Sequence, residues 1–304
     1  MSPPAVSIIL FAHAPYAGFI PESLGSILNQ SYRELEVIVL GDGSRELEQA
    51  VEPFRDDPRC MLSSQGDRPF LLAANDEMKQ ARGRYLGTWN SDDVYAPDHV
   101  KVLVEALDGD PALGGAFDNT EYFGADGTLG SIVPPQRAGR LASAPLTVRH
   151  IFRENIMTGP SSLVRKSAFE RVGGYDGDIY LNCDLHWFYR IAAYFPVRYV
   201  DYVGVRKRVH PLNNTAVNPH YEFGLKELEH IRDHYPDVYR RIGAAEFNKK
   251  LGRKYFRLGL YYERRGEREK ARAAYREAMR LRKWSLRYAW EYLRCGLAAK
   301  PPVA

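Results

Sequence analysis

Two hydrophobic rhythms alternate along the first third of the chain. "AVSIILFA" (Ala5 to Ala12) is a continuous, β-branched apolar run, the pattern of a strand buried on both faces. "PESLGSILNQSY" follows, with Leu24, Ile27 and Leu28 at helical spacing and Pro21 and Glu22 suited to a first turn. "LEVIVLGDGS" is a second buried strand running into a Gly/Asp/Ser turn. "RELEQAVEPF" predicts a helix, "CMLSS" a short strand, and "FLLAANDEMKQAR" a helix stopped by Gly83. "RYLGTW" is a further strand and "DHVKVLVEAL" the helix after it. This alternation through about the first 115 residues implies right-handed βαβ units. The expected class is α/β, a mostly parallel sheet flanked by helices. Ligands of such sheets bind beyond the carboxyl ends of the strands, where "GDGS" and "NSDD" fall.

Beyond "GGAFDNTEYF" the pattern loosens, and the Gly/Pro/Ser-rich "DGTLGSIVPPQRAGRLASAP" predicts a loop that leaves the sheet. "SSLVRKSAFERVGGY" restores order as a strand entering a short helix closed by Gly173 and Gly174. "CDLHWFYRIAAYF" predicts a helix and "VRYVDYVGVRKRVH" an extended segment. From roughly Asn248 the chain is helical and basic. The expected division is a catalytic body over 1–220 and a helical region over 221–304. In the latter, Leu258, Gly259, Tyr262, Gly266, Ala271, Tyr275 and Ala278 resemble a single tetratricopeptide unit, which must pack on something else to bury its face.

Composition adds the compartment and the charge. With 304 residues, 45% hydrophobic and 26% charged, the chain is of ordinary globular make-up. It shows no signal peptide and no apolar run long enough to span a bilayer. Cys60, Cys183 and Cys295 are odd in number and scattered, which fits a reducing compartment, so a cytoplasmic protein is expected. The net charge of +4 is unevenly spread: Lys249 to Cys295 carries 16 Lys/Arg against 5 Asp/Glu, leaving the remainder at −7. In the tail "RLRKWSLRYAWEYLRCGL" these charges interleave with Trp284, Tyr288, Trp290 and Leu293. That pattern suits a peripheral contact with the inner face of the plasma membrane, or a helix packing its aromatics inward. No nucleic-acid recognition module accompanies the charge.

The chemistry concentrates at strand ends and one helix start. Asp92 and Asp93 adjoin at the end of a buried strand, where like charges need a counter-charge, a metal, or the exposure of a turn. Asp42 sits at the end of the neighbouring strand, as a ligand group or as part of a D-G turn. Asp184 opens a helix, where the dipole favours a carboxylate for capping alone. Arg206, Arg208 and His210 fall on one face of an extended segment by alternation, as a phosphate-facing cluster or a solvated strand.

"VSIILFAHAPYAGFIPESLGSILNQSYRELEVIVLGDGS", "RYLGTWNSDDVYAPDHV" and "SSLVRKSAFERVGGYDGDIYLNCDLHWFYRIA", in this order and over about residues 5–215, resemble family 2 glycosyltransferases of the GT-A fold. The likeness is to the spore-coat polysaccharide type. The first block departs from it, reading Phe11-Ala12-His13-Ala14 where the family usually has P-T-Y-N. The resemblance implies inverting transfer of a hexosyl group from a UDP- or dTDP-sugar to a glycan or lipid-linked acceptor, in polysaccharide or cell-envelope synthesis. It implies Mg²⁺ or Mn²⁺ on Asp93, with His210 as a further ligand. Asp92 would then contact the nucleotide, Asp42 the base, and Phe11 and Arg68 the nucleoside pocket, with Arg206 and Arg208 at the diphosphate. Asp184 becomes the general base, and His186 could serve acceptor binding. A sugar nucleotidyltransferase would want a Gly-rich basic loop after the first strand, which "FAHAPYAGF" does not supply. A catalytically silent scaffold is the other alternative, and retention of Asp42, Asp93 and Asp184 argues against it. Assembly into a homo-oligomer is left open.

Overall fold

The computed structural model describes residues 4–213, 220–282 and 285–297, so the aromatic Trp284 lies outside the described residues. By internal packing the chain divides into two units, residues 1–216 and 217–304.

The first unit is built on one mixed sheet. Its centre is β1 (Val6–Phe11), flanked in parallel by β2 (Leu35–Gly41) and β4 (Tyr85–Asn90), with β3 (Cys60–Ser64) parallel to β2 at the edge. Helices α1 (Ile20–Leu28), α2 (Arg45–Val51) and α3 (Phe70–Gln80) connect these strands, as the two rhythms predict. Ile8, Ile9, Leu10, Val37 and Val39 are essentially inaccessible, which explains the uninterrupted apolar runs of the central strands. The register sets Phe11 opposite Leu40 on one side and Asn90 on the other. Three strands therefore end together, and the residues that follow them share one edge.

The far half of the sheet departs from the predicted pattern. After β5 (Val94–Tyr95) and α4 (His99–Gly109) comes β6 (Gly115–Gly124), which pairs with β7 (Gly127–Ser131) as a hairpin. Then follow α5 (Pro135–Ala142), α6 (Val148–Glu154), β8 (Ser162–Arg165) and α7 (Lys166–Val172). Thus the segment expected to be a loop holds a strand and a helix, and a second helix follows it. The strand β7 is almost wholly exposed and shows no apolar alternation, while the apolar face of α5 is only Ala138 and Leu141, two positions within a Gly/Pro/Ser-rich stretch. Strand β8 runs antiparallel to both β4 and β6, while β9 (Val197–Arg208) is parallel to β6. The helix α8 (Cys183–Tyr194) precedes β9.

Glycine at position 83 does something other than stop a helix, since α3 ends at Gln80 and Ala81 is already extended. A β-carbon on Gly83 would lie 2.6 Å from the backbone nitrogen of Ser7 and 2.7 Å from its hydroxyl. The close approach lets Gly83 N–H donate to Ser7 Oγ (2.8 Å), while Ser7 Oγ donates to buried Glu36 (2.6 Å). Arg82 completes the network through its backbone N–H (2.8 Å) and Nε (2.7 Å). Burial alone would raise the Glu36 carboxyl, but the bonds from Ser7 and Arg82 outweigh it and hold the group below its ordinary value. A depressed carboxyl contributes stability that is present above the unfolded-state pKa and is lost as the pH falls through the folded one. Glu36→Gln is therefore expected to lower stability near neutral pH by about 1–3 kcal/mol. The difference from wild type should shrink in acid, as read from denaturant melts across pH.

The second unit is helical among its described residues, from close to the expected boundary at 221 and well before the basic stretch at Asn248: α9 (His220–His234), α10 (Pro236–Ile242), α11 (Ala244–Arg264), α12 (Arg268–Leu281) and α13 (Leu286–Leu297). Helices α11 and α12 form a hairpin about Gly266, whose φ of +74° suits the tight turn. A β-carbon on Gly259 would sit 2.4 Å from the Tyr275 ring, so the helices approach closely where glycine stands. Phe256, Ala271, Tyr275, Ala278, Tyr288 and Cys295 form this unit's small core, with the Phe256 and Tyr288 rings stacked at 4.5 Å.

Candidate active site

One pocket opens at the shared strand edge. Its walls include Phe11, His13, Phe70, Thr88, Asn90, Asp92, Gly159, Tyr175, Tyr180, Asp184, Lys207 and Asn213. Strand β1 supplies Phe11, whose ring meets Phe70 edge-on at 5.0 Å. His13 follows, tilted against Phe70 at 4.7 Å and edge-on to Tyr16 at 5.9 Å. Burial lowers the His13 pKa, and the charges of Asp42 and Asp92 only partly oppose it.

The two adjacent carboxylates have different surroundings. Asp92 is on the pocket wall. Its Oδ2 lies 3.1 Å from His210 Nε2 and accepts from Asn213 Nδ2 at 3.1 Å. Asp93 is wholly buried and is not on that wall. It accepts the backbone N–H of Arg208 (3.1 Å) and the side-chain amide of Asn90 (3.3 Å). Burial, and then the charge of Asp92, push the Asp93 carboxyl up.

The counter-charge for this pair is Lys207, which the sequence reading missed. Strand alternation places Lys207 on the face opposite Arg206 and Arg208, and that face is the pocket's. Burial would lower its ammonium pKa. The carboxylates of Asp93, Asp92 and Asp184 are the charges that oppose this near neutral pH, and Lys207 is held above its ordinary value and stays protonated. Among the described residues no hydrogen bond or close ion pair engages its ammonium, which leaves it available to a ligand. Alternation, applied to "VRKRVH" together with the position of "NSDD", carried the signal for Lys207.

Arg206 and Arg208 point elsewhere. Arg206 pairs with Glu121 at 3.4 Å and lies over the Phe123 ring, half exposed. Arg208 braces the site from outside, donating to Glu22 and to the Asp92 carbonyl (3.2 Å) and stacking on Phe19. Arg68 is tied to Asp76 (2.9 Å) and to the Gln65 carbonyl (3.1 Å), away from the pocket walls. Asp42 is exposed at the end of β2, accepting from Ser44 N (3.0 Å) and Ala14 N (3.4 Å). It is on the strand edge beside His13 but does not line the pocket. His186 is buried within α8 and does not line it either.

Asp184 lines the same pocket from the first turn of α8. Its Oδ1 accepts from Leu185 N (2.8 Å) and its Oδ2 from Gly159 N (3.2 Å). A β-carbon on Gly159 would meet the Thr88 carbonyl at 2.9 Å, so glycine allows the 158–160 loop to lie against β4 and reach the carboxylate. The preceding loop is anchored by "GGY". Asn75 on α3 accepts from Tyr175 N (2.7 Å) and donates to its carbonyl (2.8 Å). The Tyr175 hydroxyl and Thr88 Oγ1 bond at 2.6 Å. Asn182, just before the carboxylate, is left-handed with φ of +60°. A non-glycine residue in that region is held there by its surroundings and is common at functional sites.

Residues 7–173 match the profile described as glycosyl transferase family 2. The chain belongs to that family. Among curated relatives, the uncharacterised glycosyltransferase RP339 of Rickettsia prowazekii is 23% identical over 256 residues, covering 80% of this chain and 74% of that one. The chondroitin synthase of Escherichia coli is 24% identical over 217 residues, 70% of this chain but only 30% of that longer protein. Solved structures agree on the fold. Staphylococcus aureus TarS 1–349 in complex with UDP-GlcNAc superimposes with a TM-score of 0.67 at 15% identity, over 91% of this chain and 81% of that one. The Pyrobaculum calidifontis mannosyltransferase PcManGT, in complex with GDP-Man and Mn²⁺, gives 0.62 at 20% identity, over 97% and 80%. The chain is thus a family 2 glycosyltransferase with the GT-A fold. Among the described residues no helix is long and apolar enough to cross a membrane.

Proposed function

We propose that the chain transfers a sugar from a nucleoside-diphosphate sugar to a glycan hydroxyl with inversion at the anomeric carbon. The observation that carries this reading is a single pocket whose walls bring together Asp92, Lys207 and Asp184. The acceptor oxygen attacks C1 as the bond from C1 to the diphosphate oxygen breaks, and the bonding pair leaves with the diphosphate. Asp184 receives the hydroxyl proton, which requires it within hydrogen-bond reach of the acceptor. Lys207 faces the diphosphate as charge develops there, in a site that its own burial keeps poorly screened.

A divalent ion fits the residues present, at Asp92 with His210. Asp92 Oδ2 and His210 Nε2 are 3.1 Å apart and converge from different elements, and a carboxylate–imidazole pair suits Mn²⁺. When bound, the ion neutralises charge on the diphosphate. Asp93, one residue along, faces away and serves to hold Lys207 and the β9 backbone. Asp42 and the Phe11, His13 and Phe70 rings flank the nucleoside end, and a UDP or dTDP base would meet Asp42 through its N3–H. Exposed Tyr180 offers the acceptor side an aromatic face on which a sugar ring can stack. With Mn²⁺ present, a panel of UDP-, dTDP- and GDP-sugars should raise the melting temperature selectively. Stabilisation by the GDP-sugars alone would overturn the pyrimidine assignment, and no response to any donor would overturn the function.

A further inference from the structure

Helix α13 presents an apolar stripe to solvent. Leu286, Trp290 and Leu293 are 87%, 64% and 56% exposed. Their spacings of four and three residues put them on one helical face. The opposite face is used: Tyr288 and Cys295 are buried against α11 and α12. The stripe is therefore surplus to this unit's core, and it comprises a large part of the exposed large hydrophobic surface of the described residues of 217–304.

Its borders are cationic. Arg287 and Arg294 follow Leu286 and Leu293 directly along the helix on one flank. On the other lies Tyr292, with the Arg272 guanidinium 5.0 Å over its ring. Hydrogen bonding to Arg276, ahead of the Arg272 charge, draws the Tyr292 pKa down, which places both arginines beside that ring. Arg272, Arg276 and Arg280 are exposed and recur every four residues along α12. From Arg268 to Arg294 there are nine Lys/Arg against three Glu. Glu291 and Glu263 engage Arg294, at 2.7 Å and 2.6 Å, and Glu277 engages Arg280 at 2.9 Å, while no ion pair among the described residues engages Arg272, Arg276 or Arg287. A water-facing Trp/Leu stripe set between rows of arginine matches an anionic lipid surface, with headgroups taking the guanidinium groups and the acyl boundary taking the stripe.

We propose that α13 and the arginine row of α12 form a docking surface for an anionic membrane. The inference is independent of the glycosyl-transfer reading.

The test uses the full chain and vesicles of phosphatidylcholine with or without phosphatidylglycerol, at low salt. The chain should co-float with the anionic vesicles and not with the neutral ones, and its tryptophan emission should shift to the blue. Leu286→Ser with Trp290→Ser, both exposed positions, should cut binding about tenfold or more. Arg272→Gln with Arg276→Gln should cut it about fivefold per charge and flatten the salt dependence. No flotation with anionic vesicles would overturn the proposal. So would binding that ignores the Leu286/Trp290 pair, the mark of bulk charge. A concentration-dependent dimer in light scattering that the same pair abolishes would reassign the stripe to self-association.

Discussion

Asp184→Asn is expected to reduce sugar transfer by about 10²–10⁴-fold, the usual contribution of a positioned proton acceptor, with donor affinity nearly unchanged. The substitution keeps size and shape. Leu185 N donates to Oδ1 and Gly159 N to Oδ2, so the single amide oxygen can keep one of the two bonds. The capacity to take up a proton is lost, together with one of these anchoring bonds. Asp184 lines the same pocket as Asp92 and Lys207, and its charge is the weakest of those that hold Lys207 up, so donor affinity should change little. Calorimetry with UDP and Mn²⁺ and single-turnover transfer measure the two effects separately. If transfer survives, Asp184 is a helix-capping residue, as its place in the first turn of α8 also allows. If donor binding is lost along with transfer, the residue organises the 158–160 loop.

The central strands were legible because burial on both faces leaves no choice of residue. Ile8, Ile9, Val37 and Val39 have to be apolar, and the helices between them must show a stripe. The far half of the sheet obeys no such constraint. Strand β7 is almost wholly exposed, and the apolar face of the eight-residue α5 is just Ala138 and Leu141, too little to stand out in a Gly/Pro/Ser-rich stretch. The site divides in the same way. Asp92 and Asp184 stand at element boundaries and can be found by counting from strand and helix ends. The direction in which each side chain points is a matter of strand phase. A one-residue difference in phase exchanges Arg206 and Arg208 for Lys207, and that is the difference between a solvent-facing strand and a cation in the pocket. Arg68 was likewise visible as a cation near the right loop, but Asp76, eight residues on, claims its guanidinium. The helical unit reads well at Gly259 and Gly266, where close approach and a positive φ demand glycine. Its boundary was expected at 221, but α9 as a helix was not read, because its mostly polar sequence carries little apolar signal.

The adjacent carboxylates supply the second large effect, and here structure and motif make opposite forecasts. Asp92→Asn is expected to abolish Mn²⁺-dependent strengthening of nucleotide binding, a loss of about 10–100-fold, with little change in the metal-free melting temperature. Asp92 reaches the pocket, and His210 and Asn213 can bond an amide in its place. Asp93→Asn should do the reverse. Its carboxylate is inaccessible, and its oxygens accept from Arg208 N and Asn90. Its charge is also the largest of those holding Lys207 protonated. Removing that charge leaves a cation in a closed site without its main compensation, which costs about 3 kcal/mol or more. The protein should melt lower without metal, and residual folded enzyme should still show a metal effect. Adding Lys207→Met to Asp93→Asn removes the orphaned cation and should recover much of the lost stability while leaving transfer impaired, because Lys207 is also the pocket cation proposed to face the diphosphate. Were Asp93 the metal ligand, Asp93→Asn alone would cancel the Mn²⁺ dependence and leave the melting temperature in place. Paired titrations and melts on the three variants decide between the two arrangements.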